Sequence, residues 1–294
     1  MRSSTTARAN HRLLLRGAAA RAQRRYREAD GATPRAGAIS SPAGLHRRPW
    51  LKRLRRALAE GLFVVHYQPI VSLRDGRASH FEALVRLADE PHGRLLAPGS
   101  FLPAAERYGL VREIYRLVLA TVASRLAEEQ GAGCPTVAIN VSALSATDER
   151  MLTHLERALT RRGVDPSRLI VEVTETAAIS DMTRASAFCA GVQSLGCAVA
   201  LDDFGSGFGS FQYLKHLPFD FLKIDGDFIR GFTVSPTDQL VVKALVDVVH
   251  GMGRQTIAEF VADDATLAML RDYGVDYAQG YAVGRPAAEL PVRA

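Results

Sequence analysis

A repeated alternation of short apolar segments and longer helix-like segments constrains the fold more than any other feature of this sequence. Strands are predicted at Thr136–Val141, Leu169–Val173, Cys197–Leu201, Phe221–Ile224, Gln255–Glu259 and Val275–Ala278. Helices are predicted between these strands, near residues 148–162, 181–195, 236–251 and 263–272. A helix that links two strands returns the chain to the same end of the sheet, so the pattern predicts parallel strands.

The upstream part of the chain adds two strands and further helices. The predicted elements are a basic helix over residues 50–60 that Pro49 opens, strands Phe63–Val71 and Ala78–Leu87, and two helices within residues 99–130. At 294 residues, the chain is long enough for a tail and one α/β barrel, which commonly uses about 250 residues. A single barrel domain is therefore expected over residues 46–294.

The net charge of +6 hides an uneven distribution. Residues 1–60 hold 15 Lys and Arg against 3 Asp and Glu, whereas residues 61–294 hold 22 against 28. Residues 1–45 are rich in Arg, Ala, Ser and Gly, which predicts a disordered tail. Two interpretations stay open. The segment is either a solvated tail or the product of an over-extended start codon, or it resembles a transit peptide and could contact nucleic acid or an anionic lipid surface. The acidic remainder argues against nucleic-acid binding by the folded domain.

Cys134, Cys189 and Cys197 are odd in number and lack the paired spacing of metal ligands. They do not resemble a disulfide framework, so a reducing cytoplasm is the expected location. No apolar run approaches the 18 residues that a spanning helix needs, so no membrane span is predicted.

Polar side chains end or interrupt most of the predicted strands. They are Glu82, Asn140, Glu172, Asp202, Asp203, Lys223, Glu259 and Gln279. In a closed barrel the carboxyl ends of the strands meet at one face, where active sites are built. These side chains are therefore expected to converge.

The adjacent Asp202 and Asp203 lose hydration as the strand buries them, so a positive group should offset their repulsion. A divalent cation would do so, and capping of a following helix is the alternative. Oxygen donors without a His or Cys cluster favour Mg²⁺ or Mn²⁺ over zinc, and Ca²⁺ stays open as an alternative. Five carboxylates suggest two ions, an arrangement suited to phosphoester hydrolysis, in which Lys223 would orient water or neutralise phosphate charge.

Structural roles are the alternative for single residues. Glu82 could pair with Arg86, Asn140 could cap a turn, Lys223 could be a buried ion-pair partner, and Gln279 could bond the backbone. A coincidence of eight polar residues at strand ends favours a functional site over these separate readings.

Eight short motifs occur in one order across residues 50–288. They are Tyr67-Gln68-Pro69-Ile70, Glu82-Ala83-Leu84, Phe101-Leu102-Pro103-Ala104-Ala105-Glu106, Asn140-Val141-Ser142, Glu172-Val173-Thr174-Glu175, Asp202-Asp203-Phe204-Gly205, Leu222-Lys223-Ile224-Asp225 and Gln279-Gly280-Tyr281. As a set, they resemble the EAL domain family of bacterial cyclic di-GMP phosphodiesterases. The resemblance implies a modified TIM barrel with an antiparallel first strand, a homodimer, and hydrolysis of cyclic di-GMP to linear pGpG with Mg²⁺ or Mn²⁺.

The resemblance also implies a role for each matching residue. The metal ligands would be Glu82, Asn140, Glu172, Asp202, Asp203 and Glu259, with Asp202 bridging two ions. Lys223 would contact the nucleophilic water, and Gln279 would lie near the metals or that water. Gln68, Pro69, Leu84 and Arg86 would help to hold the dinucleotide, and Glu175 would steady the loop after Asp203.

Departures from the family pattern raise a second hypothesis. The family usually reads Ala-Glu-Gly-Val-Glu where this chain has Ala258-Glu259-Phe260-Val261-Ala262. Leu87 also replaces a common Trp. A bulky Phe260 could displace Glu259, and a shift of about 1 Å can cost about a hundredfold in rate. The alternative to an active enzyme is therefore a catalytically silent cyclic di-GMP receptor or a protein-interaction module.

Overall fold

The computed structural model describes residues 47–89, 93–129, 134–146, 148, 150–174, 181–205 and 213–291. The predicted tail over residues 1–45 lies outside the described residues. In chain order, the described helices and strands are α1 (Arg47–Glu60), β1 (Phe63–Ser72), β2 (Ala78–Asp89), β3 (Arg94–Leu96), α2 (Leu102–Arg107), α3 (Val111–Glu128), β4 (Thr136–Val141), α4 (Ala143–Ala146), α5 (Arg150–Thr160), β5 (Leu169–Thr174), α6 (Met182–Ser194), β6 (Ala198–Phe204), β7 (Phe221–Ile224), α7 (Gly226–Ile229), α8 (Pro236–Gly251), β8 (Gln255–Ala258), α9 (Asp264–Asp272) and β9 (Tyr277–Gln279).

The chain divides into two compact units, and β1 and β2 pass from one unit to the other. The larger unit contains Tyr67–Leu84 and Tyr115–Ala294. The smaller unit contains the described residues up to His66 together with Val85–Ile114.

Eight strands contribute to a closed ring in the larger unit, in the order β1-β9-β8-β7-β6-β5-β4-β2, and β1 also pairs with β2. The pairs from β2–β4 through β8–β9 are parallel. β1 runs antiparallel to β9, with Ile70 opposite Gln279. The predicted modified TIM barrel with an antiparallel first strand is thus confirmed.

The ring strands are buried on both faces, which explains their nearly continuous apolar sequences. In β6, Val199, Ala200 and Leu201 are at most 2% exposed. Ala138 of β4 and Ile170 of β5 pack with Ala200 as one cluster. Small and branched residues from neighbouring strands therefore fill this part of the core.

An aspartate joins three strands at the amino-terminal end of the ring. The Asp220 carboxylate accepts hydrogen bonds from the Val199 backbone N–H (2.9 Å) and the Gln193 side chain (2.9 Å). The guanidinium of Arg254 lies 3.3 Å from the same carboxylate. The Asp220 backbone also donates to Val199 and accepts from Gln255. The starts of β6, β7 and β8 are thereby held in register.

Several strand boundaries differ from those predicted by one to three residues, and β6 and β9 are two examples. β6 continues to Phe204, beyond the predicted end at Leu201, because Phe204 pairs with Ile224 of β7 after an irregularity in the ladder. β9 covers Tyr277–Gln279 instead of Val275–Ala278, because its limits are set by its partners β1 and β8. Pairing with a distant strand is not visible in local apolar patterns.

All three cysteines are buried free thiols. Burial raises the pKa of the Cys134 thiol, and it raises the pKa values of Cys189 and Cys197 to about 12. The absence of a disulfide framework agrees with the sequence prediction.

In the smaller unit, α1 packs against α2 through a narrow apolar stripe, and Leu54 and Ala57 are fully buried. α1 begins at Arg47, two residues before the predicted start at Pro49, because the first turn of a helix tolerates the missing N–H of proline. The rings of Phe63 and Phe101 lie 5.5 Å apart. None of the helices in the described part of the chain combines the length and apolar character that a membrane crossing requires.

Candidate active site

Eight polar side chains meet toward the carboxyl ends of the ring strands, all within the larger unit. They are Glu82 of β2, Asn140 of β4, Glu172 of β5, Asp202 and Asp203 of β6, Lys223 of β7, Glu259 directly after β8, and Gln279 of β9. Hydrogen bonds, ion pairs and close oxygen atoms connect all eight into one cluster. The strand-end pattern of the sequence predicts this convergence, and the individual roles stay predictions.

The Lys223 ammonium lies at the centre of the cluster and is 1% exposed. Its Nζ atom is 2.8 Å from Glu259, 2.9 Å from Asp202, 3.0 Å from Glu172 and 3.7 Å from Glu82. A lysine on a buried strand needs such partners, because an unpaired ammonium in the interior is strongly disfavoured. Here four carboxylates share one cation: three lie on different strands, and Glu259 directly follows a fourth.

Amide side chains fix the Glu82 carboxylate from two sides. Asn140 Nδ2 donates to Glu82 Oε1 at 2.6 Å, and Gln279 Nε2 donates to Glu82 Oε2 at 2.5 Å. Gln279 Nε2 also lies 3.3 Å from Gln68 Oε1, and Gln68 Nε2 donates to the Gly284 carbonyl at 3.1 Å. This chain of amides connects β1 and β9 to the acidic cluster.

A local irregularity in β6 lets two consecutive aspartates serve the same cluster. Side chains of consecutive residues in a regular strand point to opposite faces. Asp203 has a positive φ of 57°, and the ladder with β7 shifts register between Leu201 and Phe204. As a result, oxygen atoms of Asp202, Asp203 and Glu259 lie within 4.8 Å of one another.

The cluster holds more negative than positive charge. Five carboxylates, from Glu82, Glu172, Asp202, Asp203 and Glu259, surround a single ammonium. Burial raises the pKa of Glu172 well above its usual value, that of Glu259 to about 8 and that of Asp203 to about 6. Burial alone would lower the pKa of Lys223, but the surrounding carboxylates outweigh it and raise that pKa. Additional cations would relieve this excess of charge.

The donor set suits a hard divalent cation. Every side-chain atom in the cluster that could act as a ligand is a carboxylate or amide oxygen, the type that Mg²⁺ and Mn²⁺ prefer. Glu172 Oε1 and Gln279 Oε1 are buried and accept no hydrogen bond from the described part of the protein. Buried oxygen atoms without donors are costly unless another partner binds them.

The family model for the EAL domain matches residues 51–286. The chain belongs to the EAL domain family. One similar protein is the cyclic di-GMP phosphodiesterase PdeB of Shewanella oneidensis, 36% identical over 81% of this chain and 28% of its own length. Another is the bifunctional diguanylate cyclase/cyclic di-GMP phosphodiesterase MucR of Pseudomonas aeruginosa, 36% identical over 80% of this chain and 35% of its own length. The EAL chain thus spans about a third of these curated relatives.

Solved structures show the same EAL fold. The PaMucR phosphodiesterase in complex with c-di-GMP is 34% identical with a TM-score of 0.77, over 81% of this chain and 97% of that chain. The FimX EAL domain from Pseudomonas aeruginosa bound to c-di-GMP is 31% identical with a TM-score of 0.76, over 83% of this chain and 98% of that chain.

The remaining predicted site residues of the EAL domain have different positions. Gln68 joins the amide chain, and Pro69 packs against Gly284. Leu84 is half-buried on β2. Arg86 lies in the smaller unit, where its guanidinium donates to the Val85 carbonyl at 3.0 Å. Glu175 lies outside the described residues, as do residues 206–212 after Asp203.

Of the structural roles considered for single residues, one is seen directly: Lys223 is a buried ion-pair partner. Asn140 donates to Glu82, and Gln279 donates to side chains rather than to the backbone. Asp202 and Asp203 lie within β6, and residues 206–212, where a capped helix would begin, are not described.

Sequence reasoning missed two residues beside the cluster. Gly284 supplies the carbonyl that orients Gln68, and its position before Arg285-Pro286 was the only local signal. Arg230 covers the ring of Phe260, 4.8 Å from the ring centroid, and nothing in the spacing of the sequence indicated that contact.

Proposed function

We propose that this EAL chain hydrolyses cyclic di-GMP to linear pGpG with two divalent cations, Mg²⁺ or Mn²⁺. The observation that carries the proposal is the buried excess of carboxylates around Lys223 at the carboxyl end of the ring. The names of the relatives and the ligands in the related structures support the choice of substrate. This chain matches about a third of the length of these curated relatives.

The residues that would hold the two ions are Glu82, Asn140, Glu172, Asp202, Asp203 and Glu259. Bound ions of this kind supply an activated water and stabilise the leaving oxygen in phosphoester hydrolysis. Lys223 would orient the attacking water, since its ammonium already lies among the ligand carboxylates. Water oxygen bonds to phosphorus as the bond to one ribose oxygen breaks, and that oxygen takes up a proton.

The proposed substrate contacts come from Gln68, Pro69, Leu84 and Arg86, and Glu175 would steady the loop after Asp203. Gln68 has the clearest support, because its amide is already oriented by Gly284 and Gln279. The homodimer implied by the family resemblance also stays a proposal for this chain.

The test is chromatography of cyclic di-GMP incubated with purified protein and either Mg²⁺ or Mn²⁺. We expect metal-dependent pGpG that EDTA abolishes, and at least a hundredfold loss of turnover in Glu82→Ala, because that carboxylate is held by two amides in the cluster. Glu156→Ala, at an exposed position on α5, is the matched control and should retain full turnover. Unchanged turnover in Glu82→Ala would contradict the ligand assignment.

A catalytically silent cyclic di-GMP receptor is the second candidate. The observation that favours it is the positive φ of 53° at Phe260, a strained conformation for a bulky residue directly beside Glu259. Submicromolar binding of cyclic di-GMP by calorimetry without pGpG formation in either metal would establish the receptor. Formation of pGpG would exclude it.

A further inference from the structure

Phe260 lies at the point where the chain leaves β8, between two residues that are fixed by the backbone. The Glu259 N–H donates to the Ile224 carbonyl at 3.2 Å, and the Val261 N–H donates to the Gln279 carbonyl at 3.0 Å. Phe260 joins them in a left-handed conformation, with φ of 53°. A residue with a Cβ persists in this region only when its surroundings determine it strongly.

Contacts of the Phe260 ring hold the residue in this left-handed conformation. The ring packs directly on Gly226, the first residue of α7, so closely that a Cβ at residue 226 would lie 2.7 Å from Phe260 Cγ. The Arg230 guanidinium covers the ring at 4.8 Å from its centroid and also pairs with Asp227. Although 55% of Phe260 is exposed, its ring is therefore held between the start of α7 and a cation.

The same short helix contacts the strand that carries the aspartates. The ring of Phe228 in α7 packs on Gly205, two residues after Asp203, and Gly205 has a φ of 99°. Lys223 of β7 lies three residues before Gly226, where α7 begins. The start of α7 is thus the common support of the chain segments that carry Asp203 and Glu259.

We infer that Phe260 is a positioning residue that wedges against Gly226 and thereby holds the Glu259 carboxylate in the metal-binding cluster. Close packing transmits this effect, because the side of the ring that lies on Gly226 leaves no room for a Cβ there, and this contact limits how the backbone of Phe260 can move. The inference rests on the proposed two-metal function and deepens it. Where the family usually has a conformationally free glycine, this chain has Phe260, whose fixed contact keeps the proposed metal ligand Glu259 in place.

The test compares Phe260→Gly, Phe260→Tyr, Gly226→Ala and the double variant Phe260→Gly/Gly226→Ala. Calorimetric titration with Mn²⁺ alone and the kinetic constants for cyclic di-GMP are both measured, and circular dichroism confirms folding. We expect Phe260→Gly to bind Mn²⁺ about tenfold more weakly, as for other residues that orient metal ligands, and to lose about tenfold in kcat with little change in KM. Phe260→Tyr keeps the ring and should restore both values.

Gly226→Ala makes the test specific to the contact between the Phe260 ring and residue 226. The added methyl should displace the ring and reproduce the loss seen in Phe260→Gly, whereas in the double variant it meets no ring and should cause no further loss. Wild-type affinity and turnover in Phe260→Gly, or losses that multiply in the double variant, would overturn the inference. If wild-type protein forms no pGpG but the Mn²⁺ affinities follow this pattern, the phosphodiesterase proposal fails and the positioning role stands. A wild-type chain that binds no Mn²⁺ overturns both.

Discussion

Lys223 is stabilised by its surroundings and stabilises them in return. Removing one member of a buried ionic cluster leaves uncompensated charge, which is far more destabilising than an exposed ion pair is stabilising. With four carboxylates within 4 Å, the Lys223 ammonium is an internal counter-ion of the cluster. The contribution of Lys223 to the free energy of unfolding can therefore be measured separately from its proposed catalytic role.

We expect Lys223→Met to lower the free energy of unfolding by about 3–5 kcal/mol in EDTA, because the buried carboxylates then repel one another without a cation. Urea denaturation followed by circular dichroism provides the measurement. Addition of Mn²⁺ should recover part of the loss, since a ligand that binds only the folded state stabilises it.

Lys243→Met is the matched control for that substitution. Lys243 is 51% exposed and pairs with Asp247 on the next turn of α8, so the expected change is within about 0.5 kcal/mol. Equal losses in the two variants would show that the buried cluster has no special dependence on its ammonium.

At this scale, residue types at strand ends were sufficient to predict the members of the cluster, because a barrel fixes where strand ends meet. The conformations of Asp203 and Phe260 were not predictable. Both have positive φ, which is uncommon for residues with a Cβ and depends on packing against α7 or pairing with β7. Similarly, Glu82 accepts hydrogen bonds from Asn140 and Gln279, which are distant in sequence, so these contacts were not visible in the local pattern.

The two ends of the ring strands carry different kinds of polar contacts. Polar groups at the carboxyl ends form the candidate site, whereas Asp220 at the amino end joins β6, β7 and β8. The alternation of short apolar segments with helix-like segments predicted these strands well, since a strand that is buried on both faces requires a run of apolar residues. Their limits shifted where pairing with a distant strand sets the end, as in β6 and β9.

We expect Asp220→Ala to reduce the free energy of unfolding by about 1–3 kcal/mol, because the Val199 N–H loses its acceptor in a partly buried place. Turnover per folded molecule should stay at the wild-type value, since Asp220 lies at the opposite end of the ring from the cluster. Denaturation by urea and the cyclic di-GMP assay measure the two effects. A selective loss of turnover at unchanged stability would contradict this division between the two ends.

For the molecule as a whole, the cysteines report whether the ring is closed. With pKa values raised to about 12 by burial, Cys189 and Cys197 carry almost no thiolate at pH 8, since a thiol is protonated below its pKa. We expect the folded protein to release almost no thionitrobenzoate from Ellman's reagent at pH 8, and the protein in urea to react at all three thiols. Rapid native reaction at Cys189 or Cys197 would show that the core around β6 opens readily.

The pairing of β1 with β9 also determines the order in which the domain can assemble. Strands β4 to β9 each pair with the next strand along the chain and can associate as the chain is synthesised, whereas Gln68 and Gln279 are 211 positions apart. Contacts between such distant segments form late because of the entropy of closing the long loop. The amide contact to Glu82 from Gln279 crosses this seam, so an unfinished chain holds an incomplete cluster. Both oxygen atoms of Glu82 would then be held by amides only once the last strand has paired.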